Sequence, residues 1–511
     1  MRRRHRSGDA PAGEIEVRTS NGLRRADFVK RAAGSGAGLF LGSGLGAGAY
    51  GLIEAADASA ASAPGGIQVF HSEPKLRPPT LTVVRRPLDD SPNGYLFIAP
   101  SSGPGQRGAM IFDDNGELVW FHPTTPQTAM NFRTGTYKGE PVLTWWEGKT
   151  TDGLGTGEHV IFDSSYRRVA RFPAGHGRKS DLHEFLLTSR NTALVTSYET
   201  RMMDLSSLGG AASTPVVGGI VQELEVPSAR VLFEWRSFDH VPIDESHAGP
   251  GLGFFDYFHI NSIDIDGDGD LLISARNTWA VYKVGRKSGE IIWRLGGKHS
   301  DFTMGKGTVF AWQHDARHHK GGKQITVFDD GGAPTVQPQS RALLIALDTK
   351  RRTATLVQKY AHSPGRLTSH FMGNAQALDN GDVVVGWGSE PYITEFRPDG
   401  SIRFEAKLPR GGQNYRAFRL PWTGHPAAPP KLAFQRQAGS WSAYASWNGA
   451  TEVASWELKT GATRGDLQAA AALPKKGFET KLPVERGARW GVVTALDKRG
   501  KELGSSEPVH F

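Results

Sequence analysis

Four histidines stand where a reactive centre can be assembled: His183 in DLHEF, His259 in FHINS, His314 in WQHDARHH and His370 in TSHFMGN. Imidazole titrates near neutrality and serves as acid, base or nucleophile. Several imidazoles beside a guanidinium suit a small tetrahedral oxyanion. One ring attacks sulfur or phosphorus, cations hold the remaining oxygens, and an acid protonates the leaving oxygen. Arg317 in WQHDARHH, Arg276 in LLISARN and Arg341 are the guanidiniums that could hold such a group. Asn131, Asn261, Asn374, Arg276, Tyr257 and Trp312 are candidates for holding a substrate. Of these, the aromatics would pack a planar one, with Phe258, Phe371 and Trp387 nearby. Against this stands the plainer expectation that each histidine caps its own turn and each aromatic fills a core.

Other patterns point away from competing chemistries. DIDGDGD begins like a calcium loop, but its twelfth position is Ala275, where a bidentate Glu is needed; a hairpin turn is expected. His314, His318 and His319 should point apart along one strand and its turn, so no metal site is expected. There is no cysteine and no serine elbow before a helix, and no cofactor is called for.

The elements that must position these residues read as short strands. DYFHINSIDIDGDGDLLISARNTWAVYKVGRKSGEIIWRL, from Asp256 to Leu295, contains four strands split by Gly, Asp and Asn turns. That is one blade of a β-propeller. Strand-turn-strand relatives of its outer hairpin begin at Gly108, Glu158, Ile220, Arg341 and Pro391, about 50–60 residues apart. Six outer hairpins imply a six-bladed all-β propeller over residues 66–420. The inner hairpins align Asn131, His183, His259, His314 and Asn374 at one position, the channel end of each innermost strand. The first blade lacks such a residue, as expected where the ring closes. Residues 421–430 form a Pro-rich linker, and 431–511 alternate like a β-sandwich of the immunoglobulin or fibronectin sort. The long connection SFDHVPIDESHAGPGLGFF reads as a possible lid.

The net charge is +8, and much of the excess sits in the first 35 residues. No basic stripe follows, so a nucleic-acid partner is not expected. Arg24 and Arg25, a Gly/Ala/Leu segment and ADASAASAP make residues 1–63 an export signal of twin-arginine type with its linker, cut after Ala60 or Ala63. The segment is a poor membrane span, so an exported protein without stable membrane insertion is expected.

FHINS with its full blade, WQHDAR, SRALLIALD and GNAQALDNGDVVVGWG resemble the bacterial arylsulfotransferases over roughly residues 66–420. The resemblance implies transfer of a sulfuryl group from an aryl sulfate to a phenol without a nucleotide donor, by a ping-pong route through a sulfated histidine. It carries His259 and His314 over into the reactive centre. It places a third histidine on the blade after His314, where His370 is the local candidate; as nucleophile His370 comes first and His314 next, and His183 and Arg317 complete the set. A non-catalytic propeller binding module, or a propeller hydrolase or lyase, is the alternative.

Overall fold

The computed structural model describes residues 62–63, 65–86, 94–251, 253–437 and 439–511. The export-signal region, apart from Ser62–Ala63, lies outside the described residues. No helix among the described residues is long and apolar enough to cross a membrane.

The chain is all-β and propeller-like. The fourth of its sheets shows why. Ile260–Ile265, Leu271–Ala275, Ala280–Val284 and Ile291–Gly296 pair in that order, each antiparallel to the next. Their apolar residues alternate between two faces, and both faces are covered. Ile263, Ile273 and Tyr282 pack against Leu194 and Val221 of the preceding sheet. Leu272, Val281 and Leu295 pack against Val327, Leu343 and Ile345 of the following one. Each such side chain, fully buried, contributes roughly 1.5–3 kcal/mol. The first turn is built by Asp266, whose amide donates to the Asp270 carbonyl (2.7 Å), with Gly269 left-handed at φ 90°. Lys283 Nζ meets Asp266 at 2.8 Å and also Asp268, so a lysine supplies the positive charge among these acids.

Five further sheets follow the same order. The second runs from Thr128–Tyr137 to Arg168–Phe172, the third from Phe185–Leu187 to Val231–Arg236, and the fifth from His314–His319 to Thr353–Tyr360. The sixth begins at Asn374–Ala377 and takes its outer strand, Thr82–Arg85, from the amino-terminal side. The first sheet begins with Phe418–Leu420, which pairs with Tyr95–Ile98. Both ends of the repeat are therefore tied by strands distant in sequence.

Beyond residue 430 lie two smaller sheets. One contains Lys431–Gln437, Ser440–Ser446 and Glu479–Pro483; the other is centred on Ser455–Gly461 and Trp490–Leu496. They share a core of Ala443, Trp456, Leu482 and Val493. DLQAAAALP, ambiguous in sequence, supplies the edge strand Gln468–Pro474. This part is latched to the first two sheets. Asn448 bonds the Phe121 amide (2.9 Å), and the Tyr166 hydroxyl donates to Gly449 (2.7 Å).

Candidate active site

Three histidines from three sheets meet at the starts of their innermost strands. The His183 and His259 rings lie edge to face, 4.8 Å between centroids. Arg276, His259 and His183 all bear electrostatically on His314. All three are nearly sealed from solvent, at 3%, 3% and 2% exposure. Each presents Nδ1 to a carboxylate: His183 to Asp181 (2.6 Å), His259 to Asp256 (2.5 Å) and His314 to Asp330 (2.7 Å). A carboxylate on Nδ1 fixes the ring and supports a proton or a bond at Nε2.

His314 has a defined tautomer. The Met372 amide donates to its Nε2 (3.3 Å), so Nε2 carries the lone pair and Nδ1–H donates to Asp330. Burial, reinforced by Arg276, His259 and His183, holds His314 well below the ordinary histidine value. Burial pushes Asp330 up, so the pair keeps one proton between Nδ1 and Oδ2. His314 is a neutral imidazole at neutral pH.

Arg276 is the guanidinium beside these rings. Its amide donates to the His259 carbonyl (2.9 Å), its Nη2 reaches the His370 carbonyl (3.2 Å), and its head lies 4.8 Å over the Trp312 ring. Trp312 is itself held by its indole N–H on Pro334 (3.0 Å). His370 sits on the rim, half-buried, with Nδ1 on the Gly332 carbonyl (3.0 Å). The long connector packs here too. His247 stacks on Trp279 at 3.7 Å, and Trp279 meets Trp312 edge-on at 5.0 Å.

An apolar cluster adjoins the histidines: Met130, Trp146, Leu182 and Tyr415, with Met372 against it. Tyr415 joins the two halves. Its ring lies 5.7 Å from His183, and its hydroxyl is shared between the carbonyls of His183 (3.0 Å) and Asn261 (3.1 Å).

A charged layer lies under the histidines. Glu184 is fully buried and takes Arg133 (3.1 Å), Arg416 (3.2 Å), Arg317 (2.5 Å) and the Asn131 amide (3.1 Å). Asp315 takes Arg317 (2.8 Å) and Arg416 (3.2 Å). Burial alone would raise Glu184; Arg317, Arg416 and Arg133 overcome it and hold the carboxyl well below the usual range.

The remaining candidates separate accordingly. Arg317 belongs to this layer, with its other donor on the Ile263 carbonyl (2.7 Å). Asn131 belongs there as well, and the ladder explains why. In the fifth sheet His314 faces Phe328, Arg317 faces Thr326, and Asp315 and Ala316 bulge between. In the second sheet Met130 faces Trp146, Arg133 faces Thr144, and Asn131 and Phe132 bulge between. Asn131 and Asp315 share φ 56°. Asn131 is thus the counterpart of Asp315, and Met130 that of His314. The alignment expected from sequence is offset by one residue here, which moves a side chain to a different layer. Asn261 and Asn374 are latches between adjoining strands, on the Gln313 carbonyl (2.6 Å) and the Ala417 carbonyl (2.8 Å). Tyr257 is core: buried, with its hydroxyl on Val241 (3.1 Å) and its ring stacked on Phe238. Arg341 binds Asp329 (2.9 Å).

Sequence reading missed Asp181, Asp256, Asp330, Glu184, Tyr415 and Arg416. A carboxylate two or three residues before His183 and His259 was the available signal for two of them. Nothing local marked Asp330, Tyr415 or Arg416. Among the described residues no cluster of His, Asp and Glu has the arrangement to hold a metal ion.

Residues 134–408 match the family model described as arylsulfotransferase (ASST). No curated protein matches the chain. Solved structures of similar fold include a protein of unknown function from Bacteroides caccae, 12% identical over 64% of this chain and 98% of that one, with a TM-score of 0.40. A streptogramin B lyase is 9% identical over 64% of this chain and 87% of its own, with a TM-score of 0.35. Virginiamycin B lyase from Staphylococcus aureus is 9% identical over 72% and 97%, with a TM-score of 0.33.

Proposed function

Because the chain belongs to the arylsulfotransferase family, we propose that it moves a sulfuryl group from an aryl sulfate to a phenol by way of a sulfated histidine. The six sheets are the blades of a propeller, and the reaction occurs at one end of its central channel. The two small sheets after residue 430 form an appended β-sandwich, and the protein works after export.

The observation that carries this reading is the convergence of His183, His259 and His314 beside Arg276 and next to an apolar cluster. An aryl sulfate has those same two parts, a tetrahedral anion and a flat apolar ring. His314 is the nucleophile. Its Nε2 lone pair, on releasing the Met372 amide, attacks sulfur, and the N–S bond forms as the bond from sulfur to the aryl oxygen breaks. The sulfate oxygens lie against Arg276 and the neighbouring imidazoles. A protonated imidazole, His183 or His259 on its aspartate, gives its proton to the leaving phenolate. In the second half the same ring takes the proton of the incoming phenol. The acceptor oxygen then attacks sulfur, and the N–S bond breaks. Met130, Trp146, Leu182 and Met372 hold the aryl ring.

Intact-mass measurement after exposure to p-nitrophenyl sulfate tests it. One added sulfuryl group is expected in the wild type and in His370→Ala, and none in His314→Ala. An adduct that survives His314→Ala and disappears in His370→Ala reassigns the nucleophile. No adduct and no nitrophenolate release with any phenol removes the sulfuryl-transfer reading.

A further inference from the structure

The charged layer has a second face, and a cavity opens onto it. The innermost strands enter the molecule at the histidines and leave past Glu184. Their later residues, Thr134, Leu186, His319, Ala377 and Leu420, line a space of about 260 Å³ together with Phe418. Arg133, Asp315 and Arg317 are its floor. The histidine cluster uses the earlier residues of the same strands, so the two places are separated by the layer itself.

The floor carries guanidiniums among carboxylates. Three guanidiniums, Arg133, Arg317 and Arg416, meet Glu184 and Asp315 here, and Asp264, paired with His318, acts on Arg317 from the side. Arg317 spends its Nε, Nη1 and Nη2 on Asp315, Ile263 and Glu184. Arg133 does not. Its Nη2 serves Glu184 and the Phe185 carbonyl, while Nε–H and Nη1–H meet no protein acceptor among the described residues. Burial lowers Arg133 to about 10, which keeps it charged at neutral pH. Its head lies 5.8 Å from the Phe418 ring centroid, and Leu186, Leu420, Ala375 and Ala377 supply apolar walls. Donors on one guanidinium beside an aromatic face and aliphatic walls recognise an anion with an apolar body.

We propose that this cavity is a second binding site, distinct from the histidine cluster, for a small aromatic or aliphatic carboxylate or sulfonate held by Arg133 and Phe418. The inference does not depend on sulfuryl transfer. The site binds and does no chemistry: His319, the imidazole in its lining, has its Nε2 engaged with the Thr326 hydroxyl (2.9 Å).

Binding isotherms read from the fluorine resonance of p-fluorobenzenesulfonate test this on the full chain. Ala377→Phe fills the cavity without touching the charged layer. His259→Ala disturbs only the histidine cluster. In His259→Ala a saturable site should remain, and adding Ala377→Phe should weaken it at least about tenfold. Arg133→Gln should weaken it similarly, while p-fluorobenzyl alcohol, which lacks the anion, should not saturate. Ala377→Phe alone should leave turnover unchanged, which shows that this variant is folded. The proposal is overturned by saturable binding indifferent to Ala377→Phe, by loss of all binding in a folded His259→Ala, or by no saturation at millimolar probe.

Discussion

The imidazoles of His183 and His259 touch edge to face at 4.8 Å, although they begin strands of different sheets, and each ring is held at Nδ1 by its own aspartate. Two rings so placed act on one reacting group as a unit. His183→Ala and His259→Ala should each lower kcat for aryl sulfate turnover by about 10²–10⁴-fold, the span typical of a lost acid–base group. The double variant should fall little below the poorer single one, because partners in one step are not additive. Steady-state kinetics of the four proteins checks this. Losses that multiply would separate the two rings into independent roles.

Arg276 should be sensitive to its shape as well as its charge. Its guanidinium spans the Trp312 face, Asn277 and the His370 carbonyl, and only a planar fork reaches all three. Arg276→Lys should reduce kcat/KM for the sulfate donor about 10²-fold, the scale of one lost oxyanion contact. Binding of the desulfated phenol should change little. Equal loss for both ligands would make Arg276 a packing residue.

The acid limb of the pH profile should lie low. His314 must be neutral to attack, and burial with Arg276 nearby lowers its pKa from the ordinary 6.5. Protonation therefore removes the lone pair only below that value. The rate of histidine sulfation, followed by single-turnover mass measurement, should stay level as pH falls through 6.5 and decline further down. A limb centred at or above 6.5 would exclude His314 as nucleophile.

His159 should limit acid stability. It is buried beside Phe172 and Phe185, and neither ring nitrogen has a hydrogen-bond partner among the described residues. Burial lowers its pKa to about 3 from 6.5. The unfolded chain takes up a proton below 6.5 and the folded chain does not until about 3, so stability is lost as pH falls between those values. His159→Phe should raise Tm at neutral pH by the removal of an unsatisfied polar group, about 1–3 kcal/mol. The gain should be larger at about pH 5. A Tm gain that does not grow on acidification would contradict this account.

How much of this was written in the chain differs from part to part. The strands of the fourth sheet were legible because alternation and turn chemistry are local: LLISA and AVYKV can bury two faces, and DGDG can only turn. The strand-turn-strand repeat was legible for the same reason. That His183, His259 and His314 stand near the starts of innermost strands was legible in that repeat, though their offsets from the strand starts differ. The place of Asn131 was not, because a bulge inserts residues without altering the alternation on either side. Arg317 looked as close to His314 as Arg276 does. Only the strand direction shows that three positions further along a β-strand is another layer of the molecule.

What the sequence determined by itself was the β-rich repeat and the identity of the imidazoles, since both follow from nearest-neighbour chemistry. The tertiary structure decided which acids orient those rings, which guanidinium stands beside them and which is consumed by Glu184. Asp330, Tyr415 and Arg416 come from segments far apart in the chain, and a contact of that kind exists only once packing has fixed the register of every strand between them.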